Sequence, residues 1–190
     1  MIKVGITGGI GSGKSVVASL LGLCGIPVYV ADTESKILVD ASPVIREKLT
    51  ALFGSDIYNG RGLNRKLLAS YIFTDPKLRE KVNAIIHPEV NKHFSAWVEA
   101  QGKEVCAIES AILFESGFNR MVDKVLMVYA PREIRIERAS LRDGASREDI
   151  VRRIDSQMSD ERKKEFSDYV IYNDGKQALL PQIQKFITAL

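Results

Sequence analysis

A lysine and a serine follow a cluster of glycines near the start of the chain, in the segment Gly5–Ser15, GITGGIGSGKS. Gly8-x-x-x-x-Gly13-Lys14-Ser15 fits the pattern of a phosphate-binding loop. Glycines let successive backbone N–H groups turn towards phosphate oxygens, and the helix that follows adds its own unpaired N–H groups. A lysine in this position supplies charge for the β- and γ-phosphates, and the serine hydroxyl can ligate Mg²⁺. The pattern therefore predicts binding of a nucleoside triphosphate.

The phosphate contacts are expected from the loop and the first turn of the helix, namely from Gly8, Gly9, Gly11, Ser12, Gly13, Lys14, Ser15 and Val16. Val16 can contribute only its backbone N–H. The alternative is a glycine-rich turn that merely links strand to helix, but such a turn has no use for a Lys-Ser pair. A switch GTPase is disfavoured because Asn91-Lys92-His93-Phe94 lacks the aspartate of the base-reading element and no Asp-x-x-Gly occurs.

Asp32 is the first candidate for acid–base chemistry. It is expected to end the second strand, next to the first strand in the simplest arrangement, and ligands of open α/β sheets gather at the carboxyl ends of the strands. A carboxylate there could orient an acceptor hydroxyl and take its proton. Capping of a helix that begins at Thr33-Glu34-Ser35 explains the same residue equally well. The residues alone leave both interpretations open.

Arginines four residues apart form the second candidate group. Arg138 and Arg142 lie on one face of a helical pattern, with Arg135 on the same side. Guanidinium groups there could clamp the β- and γ-phosphates and stabilise charge during transfer. A solvated basic helix face is the alternative.

The elements that must position these side chains are strands and helices in alternation. Near-continuous apolar runs predict five buried parallel strands, at Lys3–Thr7, Val28–Ala31, Val105–Ser110, Lys124–Tyr129 and Tyr169–Tyr172. One helix is expected from Gly13 to Leu23, and another closes the chain over residues 178–190. Cap signals predict helix starts at Ser42-Pro43, Asp75-Pro76 and Ser146-x-x-Asp149. Together these elements predict an α/β three-layer domain with a central parallel five-stranded sheet.

Two stretches do not fit a simple strand–helix alternation. Residues 33–102 are helical in pattern throughout and too long for a crossover, which predicts a helical insertion beside the sheet. Residues 142–166 are rich in charge and poor in large apolar side chains, so they are expected to be a mobile, solvated helical segment outside the core.

Composition excludes several classes of protein. The net charge of +3 over 190 residues is too small to indicate a nucleic-acid partner. No apolar run approaches the roughly 18 residues of a membrane span, and no signal peptide begins the chain, so we expect a cytoplasmic protein. Cys24 and Cys106 lie among apolar residues and are expected to be buried thiols, with a disulfide as the alternative. A monomer or small homo-oligomer is expected.

The chain resembles the dephospho-CoA kinase family from end to end, a P-loop small-molecule kinase family. The resemblance rests on motifs in order: TGGIGSGKS, VYVADTESK, LNRKLLASYIF, NAIIHPEV, ILFESGF, ERASLRDG and YVIYNDG. It implies transfer of the γ-phosphate of ATP to the 3′-hydroxyl of dephospho-CoA, with Mg²⁺. It also implies a single domain with core 1–32, 103–140 and 167–190, an acceptor-binding insertion 33–102, and a lid 141–166.

The resemblance assigns roles by position. The presumed base falls on Asp32, and the phosphate-binding arginines fall on Arg138 and Arg142. Asn173 and Gly175 resemble the element that borders the adenine. On the acceptor side the matches are Arg65 and His87, although a core or capping histidine explains His87 as well. A kinase of another small acceptor, such as a nucleoside monophosphate or shikimate, would share the fold and is one alternative. A nucleotide-regulated binding module that uses the same loop without turnover is the other.

This sequence departs from the family pattern at two points. Glu109-Ser110-Ala111 stands where the family has an aspartate followed by a proline, so Glu109 is expected to hold the metal through water, one methylene further out. Val16 replaces the usual threonine, which removes a hydroxyl but keeps the backbone N–H.

Overall fold

The computed structural model describes residues 1–60 and 62–190, with seven strands and nine α-helices among them. The strands are β1 (Ile2–Thr7), β2 (Val28–Val30), β3 (Tyr58–Asn59), β4 (Gly62–Leu63), β5 (Val105–Glu109), β6 (Lys124–Tyr129) and β7 (Tyr169–Tyr172). The helices are α1 (Lys14–Leu23), α2 (Ala31–Ala41), α3 (Pro43–Phe53), α4 (Arg65–Thr74), α5 (Pro76–Gln101), α6 (Arg132–Asp143), α7 (Arg147–Asp155), α8 (Asp160–Glu165) and α9 (Leu179–Thr188).

The chain divides into two units, one formed by Met1–Val30 with Val98–Leu190 and the other by Ala31–Trp97. The first is an α/β unit whose sheet has the strand order β2-β5-β1-β6-β7, with all pairings parallel. Val4 and Ile6 of β1 pack with Val17 and Leu21 of α1 in its buried core. The end of β1 and the start of α1 are therefore both anchored in the hydrophobic core.

The second unit, Ala31–Trp97, is helical with one two-stranded hairpin, β3-β4. Ile45 and Leu49 of α3 are completely buried in its core, together with Ile57. Asp40 of α2 holds the hairpin, since its carboxylate accepts hydrogen bonds from the Leu63 N–H at 2.8 Å and the Arg65 guanidinium at 2.6 Å. These two donors hold the pKa of Asp40 below its ordinary value.

The predicted five-stranded parallel sheet is confirmed, and its strands match the apolar runs to within one residue at each end. The predicted helix starts are confirmed too. Ser42 and Ser146 accept hydrogen bonds from the first turns of α3 and α7, and Asp75 does the same for α5. In the parts of the chain that the structure describes, no helix has the length and hydropathy needed to cross a bilayer.

Several expectations were wrong. β2 pairs with β5 and not with β1, so β5 lies between the first two strands. Residues 33–102 are not helical throughout, because strands of two residues are too short to leave a periodic pattern. Cys24 is exposed just after α1, while Cys106 is buried in β5. Both thiols are free.

The charged segment 142–166 also contributes to the core, contrary to expectation. Ile150 and Ile154 of α7 are buried against Ile136 and Ala139 of α6, and Ile10 packs on the same cluster. Two isoleucines four residues apart form one narrow apolar stripe along the helix. The composition of the whole segment is dominated by charged residues and does not reveal this stripe.

Candidate active site

The glycine-rich loop joins β1 to α1. Gly8, Gly9, Gly11, Ser12 and Gly13 lie between the two elements, and Lys14, Ser15 and Val16 form the first turn of α1. Gly13 caps the helix with φ of 87°, a left-handed conformation that suits glycine. A Cβ at Gly13 would also collide with the side-chain amide of Asn173. The loop therefore turns tightly into a helix N-terminus, which favours an anion.

Lys14 lies against a buried carboxylate. Its Nζ is 3.2 Å from Oε1 of Glu109, with 14% of the lysine side chain exposed and 4% of the glutamate. Glu109 ends β5, in register with Ile6 of β1 and Val30 of β2. The strand order thus delivers a carboxylate to the side of the loop lysine, at the carboxyl edge of the sheet where ligands of such folds bind.

Three buried oxygens near the loop have no hydrogen-bond partner among the described residues: Thr7 Oγ1, Ser12 Oγ and Glu109 Oε1. Lys14 and Glu109 therefore form an ion pair whose angles do not meet the geometry of a hydrogen bond. Buried polar groups nearly always have a hydrogen-bond partner, so these three oxygens indicate a site where a ligand, metal ion or water binds.

The available donors suit Mg²⁺ in character. Mg²⁺ prefers oxygen ligands, keeps several waters, and is usually bound through one or two protein groups plus substrate phosphates. Ser15 offers a hydroxyl in the first turn of α1, and Glu109 offers a carboxylate with an unsatisfied oxygen. Within residues 1–60 and 62–190 no group of three or more acidic, histidine or cysteine side chains is placed to bind a metal by itself. The donor set fits a metal that arrives with a nucleotide.

Asn173 and Arg138 hold the other side of the loop. The Asn173 side-chain amide donates to the Ser12 carbonyl at 2.9 Å, and the Asn173 carbonyl accepts from Arg138 Nη1 at 2.9 Å. Asn173 follows β7, and Gly175 lies in the next turn with φ of 79°. The structure thus brings together the loop, Asn173 and Arg138, three features that lie far apart in the sequence.

Arg142 differs from Arg138 in its exposure and its partners, although both lie on α6. Its side chain is 61% exposed and pairs with Asp143, which also binds Arg153. The hydrogen bonds from Arg142 and Arg153 lower the pKa of Asp143 to about 2. Arg138 is therefore held by Asn173, whose side chain bonds the loop, whereas Arg142 lies at the exposed end of α6.

Three side chains between residues 135 and 163 make contacts that the sequence did not predict. Arg135 is buried and donates to the Ile10 carbonyl at 3.0 Å, and Gln157 accepts from the Ile10 N–H at 3.3 Å. Lys163 of α8 is fully buried, and its Nζ donates to the Ala111 carbonyl at 2.7 Å. Burial lowers the pKa of Lys163. Nothing in the sequence indicates that the charged side chains of Arg135 and Lys163 are buried, so only the structure identifies these contacts.

The remaining candidates belong to the unit Ala31–Trp97. Asp32 does not end a strand, because β2 stops at Val30 and Asp32 lies exposed in the first turn of α2. Arg65 begins α4, with its guanidinium 2.6 Å from Asp40. His87 is half-buried inside α5, directly before Pro88, and burial lowers its pKa.

The geometry of the α/β unit suits phosphoryl transfer. Such reactions need positioned positive charge and backbone donors far more than covalent chemistry. A helix N-terminus, Lys14 and a buried acid beside it provide these elements within one short stretch of structure.

Comparisons with known proteins extend over almost the whole chain. The family model for dephospho-CoA kinase matches residues 2–178. A dephospho-CoA kinase from Bacteroides fragilis is 52% identical over 190 residues, covering 100% of this chain and 93% of the relative. One from Porphyromonas gingivalis is 50% identical over 188 residues, covering 98% of this chain and 93% of the relative.

A solved structure gives the same result for the fold. The protein TT1252 from Thermus thermophilus superposes with a TM-score of 0.87 at 34% identity, covering 99% of this chain and 96% of that chain. The matches include both the loop and the residues of the helical unit.

Proposed function

This chain belongs to the dephospho-CoA kinase family, and from that premise we propose how its side chains carry out the reaction of the family. The activity is the ATP-dependent phosphorylation of dephospho-CoA. Nucleoside monophosphates and shikimate, the alternative acceptors, lose their support because family and relatives agree on one substrate. The roles of individual residues are the proposal.

The loop of residues 8–16 binds the phosphates of ATP. One observation carries this assignment: Lys14 stands at the N-terminus of α1, 3.2 Å from a buried carboxylate at the carboxyl edge of the sheet. The backbone N–H groups of the loop and of the first turn of α1 donate to phosphate oxygens. Lys14 offsets the charge of the β- and γ-phosphates.

Mg²⁺ would be held by Ser15, with Glu109 acting through water, and when bound it neutralises charge on the phosphate oxygens. The unsatisfied Glu109 Oε1 supports this role. The same carboxylate lies 3.2 Å from Lys14 Nζ.

Asp32 takes the proton of the acceptor. The 3′-hydroxyl oxygen of dephospho-CoA forms a bond to the γ-phosphorus while the bond from that phosphorus to the bridging oxygen of ADP breaks. The hydroxyl proton passes to the Asp32 carboxylate, the general base. Its exposure at the start of α2 leaves the carboxylate available for this role.

The other candidates divide between the two substrates. Arg138 and Arg142 stabilise the charge of the transferring group, and Asn173 with Gly175 borders the adenine. Arg138 is already bonded to the Asn173 carbonyl, which supports a shared role at the nucleotide. Arg65 and His87 contact the acceptor. A lid over residues 141–166 would exclude water and limit hydrolysis of ATP.

The test is Asp32→Asn, which keeps the size of the side chain but removes the base. We expect kcat to fall by roughly a hundredfold or more while the Kd for ATP stays unchanged, given typical contributions of acid–base catalysis. Steady-state kinetics and calorimetric titration with ATP measure the two quantities.

Glu34→Gln is the matched control, because Asp32 and Glu34 are the two acidic residues in the first turn of α2. It removes one negative charge from the same helix end, where the Glu34 side chain is 29% exposed and lies 3.9 Å from His93. It should leave kcat within about twofold, since a charge near a helix end typically contributes about 1 kcal/mol or less. Near-normal turnover in Asp32→Asn, or equal losses in both variants, would reduce Asp32 to a helix-end role.

A further inference from the structure

Arg135 lies on the outer side of the phosphate-binding loop. Its Nε donates to the Ile10 carbonyl at 3.0 Å, and a Cβ at Gly9 would collide with its guanidinium. A Cβ at Gly11 would collide with the Arg135 backbone carbonyl. The arginine therefore fills the space that the missing side chains of two loop glycines leave open.

The same guanidinium pairs with Asp160 of α8. Both side chains are almost completely buried, at 5% and 7% exposed. A second arginine of α6 provides the contrast: Arg132 pairs with Asp155 at 2.7 Å, but those side chains are 49% and 54% exposed. Burial lowers the pKa of Arg135. The guanidinium nevertheless stays charged, and a buried charge needs a paired carboxylate. Only the buried pair reaches the loop.

Ile10 receives contacts from the α6–α8 region through both of its backbone polar groups. Its carbonyl accepts from Arg135, and its N–H donates to Gln157 between α7 and α8 at 3.3 Å. Its side chain packs against the cluster that includes Ile150 and Ile154 of α7. The outer side of the loop is thus bonded to the segment that carries α7 and α8.

We propose that Arg135 is a positioning residue for ATP binding, which holds the loop in its phosphate-binding shape and, through Asp160, ties that shape to helix α8. The inference rests on the proposed binding of ATP phosphates by the loop. Hydrogen-bond donors stabilise a developing charge most when they are fixed before the ligand arrives. A guanidinium can serve a carbonyl and a carboxylate at once because its donors form a rigid fork.

Arg135→Lys is the first test, because an ammonium keeps the buried charge beside Asp160 but lacks the fork that also reaches Ile10. We expect the Kd and KM for ATP to rise about tenfold, the effect of losing a hydrogen bond to a charged group. The KM for dephospho-CoA should stay within twofold. An ATP affinity equal to that of the unmodified protein would overturn the proposal.

The double variant Arg135→Met/Asp160→Leu is the second test, and it separates positioning from folding. Replacing a buried ion pair by apolar side chains of similar size usually preserves stability. We expect unfolding by urea close to that of the unmodified protein, with the loss of ATP affinity retained. Recovery of ATP affinity in this variant would show that Arg135 serves only to neutralise Asp160. If one of the two variants does not fold, the ATP affinity of the other is enough to test the positioning role.

Two controls isolate the cause. Arg132→Met removes the exposed pair on the same helix and should change neither KM by more than twofold. Lys14→Ala, measured in parallel, tests the loop itself: if it leaves the Kd for ATP unchanged, the proposed function fails. If Lys14→Ala weakens ATP binding and the Arg135 variants do not, only the positioning role fails.

Discussion

The two units of this protein hold their candidate residues in different ways. In the α/β unit, Lys14, Asn173 and Arg138 are fixed by contacts that involve the loop or its neighbours, at distances of 2.9 to 3.2 Å. In the unit Ala31–Trp97, Asp32 is exposed and Arg65 is paired within its own unit, with the Asp40 that anchors the hairpin. In the first unit the candidate residues contact one another around the loop. In the second unit these two candidates are either exposed to solvent or paired with a residue that has a structural role.

If the α/β unit binds ATP and the helical unit binds the acceptor, as we propose, the difference reflects what each substrate requires of the protein. A polyphosphate is recognised by backbone amides and a few charges, so the binding surface must be rigid and can be identified from geometry. The acceptor contacts that we propose are single side chains on α2, α4 and α5, and their roles depend on the shape of the ligand. Roles in the α/β unit therefore rest on geometry, while roles in the helical unit rest mainly on family resemblance.

Lys14→Ala gives the largest expected effect and tests the assembled site. The substitution removes the lysine that we propose binds the phosphates, and it leaves Glu109 buried without its cation. We expect kcat/KM to fall on the order of a thousandfold, with a raised Kd for ATP, comparable to the loss of a principal electrostatic group. Steady-state kinetics and titration with ATP measure both.

Lys92→Ala is the matched control, since Lys92 also pairs with a glutamate at 3.2 Å, but on a surface where 77% of its side chain is exposed. Its loss should leave kcat/KM unchanged within about twofold, as exposed pairs contribute little. Similar losses for both lysines would mean that pairing with a glutamate matters and the loop does not.

The sequence predicts the sheet well because buried parallel strands are nearly continuous apolar runs. β6 and β7 begin and end as expected, and the cap residues Ser42 and Ser146 carry a local signal that the structure confirms. The neighbour of β2 could not be predicted, because the strand between β1 and β2 comes some 70 residues later in the chain. Long-range pairing leaves no local pattern.

The site was predictable only where a motif fixes the spacing. The loop motif locates Lys14 and Ser15, but nothing near Arg135 or Lys163 indicates that these charges are buried. Burial of a charged side chain depends on a distant partner, here Asp160 for Arg135. The sequence therefore does not predict which individual polar side chains are buried. Cys24 is another case, since its thiol was expected to be buried and is exposed.

Arg65→Met is the next prediction and tests the less assembled unit. If the guanidinium contacts the acceptor, the KM for dephospho-CoA rises about tenfold while the KM for ATP stays unchanged, because a charge-assisted hydrogen bond is lost. Asp40→Asn is the control. It breaks the ion pair but keeps an oxygen for the Leu63 N–H, so it should leave both KM values near normal. Equal effects of the two variants would make the pair structural.

The smallest expected effect concerns His87 and the stability of the helical unit. Burial lowers the pKa of His87 from its ordinary value of 6.5, so the native state disfavours the charged imidazole. The unfolded chain then binds the proton more readily. Stability is therefore fully present above pH 6.5 and decreases as the pH falls through the lowered pKa of the folded state.

The measurement is urea unfolding between pH 5 and 8 for the unmodified protein and His87→Gln. Removing the imidazole should flatten the loss of stability below pH 6.5. His93→Gln, at the exposed second histidine, whose Nδ1 lies 3.9 Å from Glu34 Oε2, measures how much of the pH dependence comes from the other imidazole. The two histidines are the only ones in the chain, so the pair of variants accounts for every imidazole. An unchanged slope in His87→Gln would mean that this side chain is solvated, which would favour a position open to the acceptor over one in the helix packing.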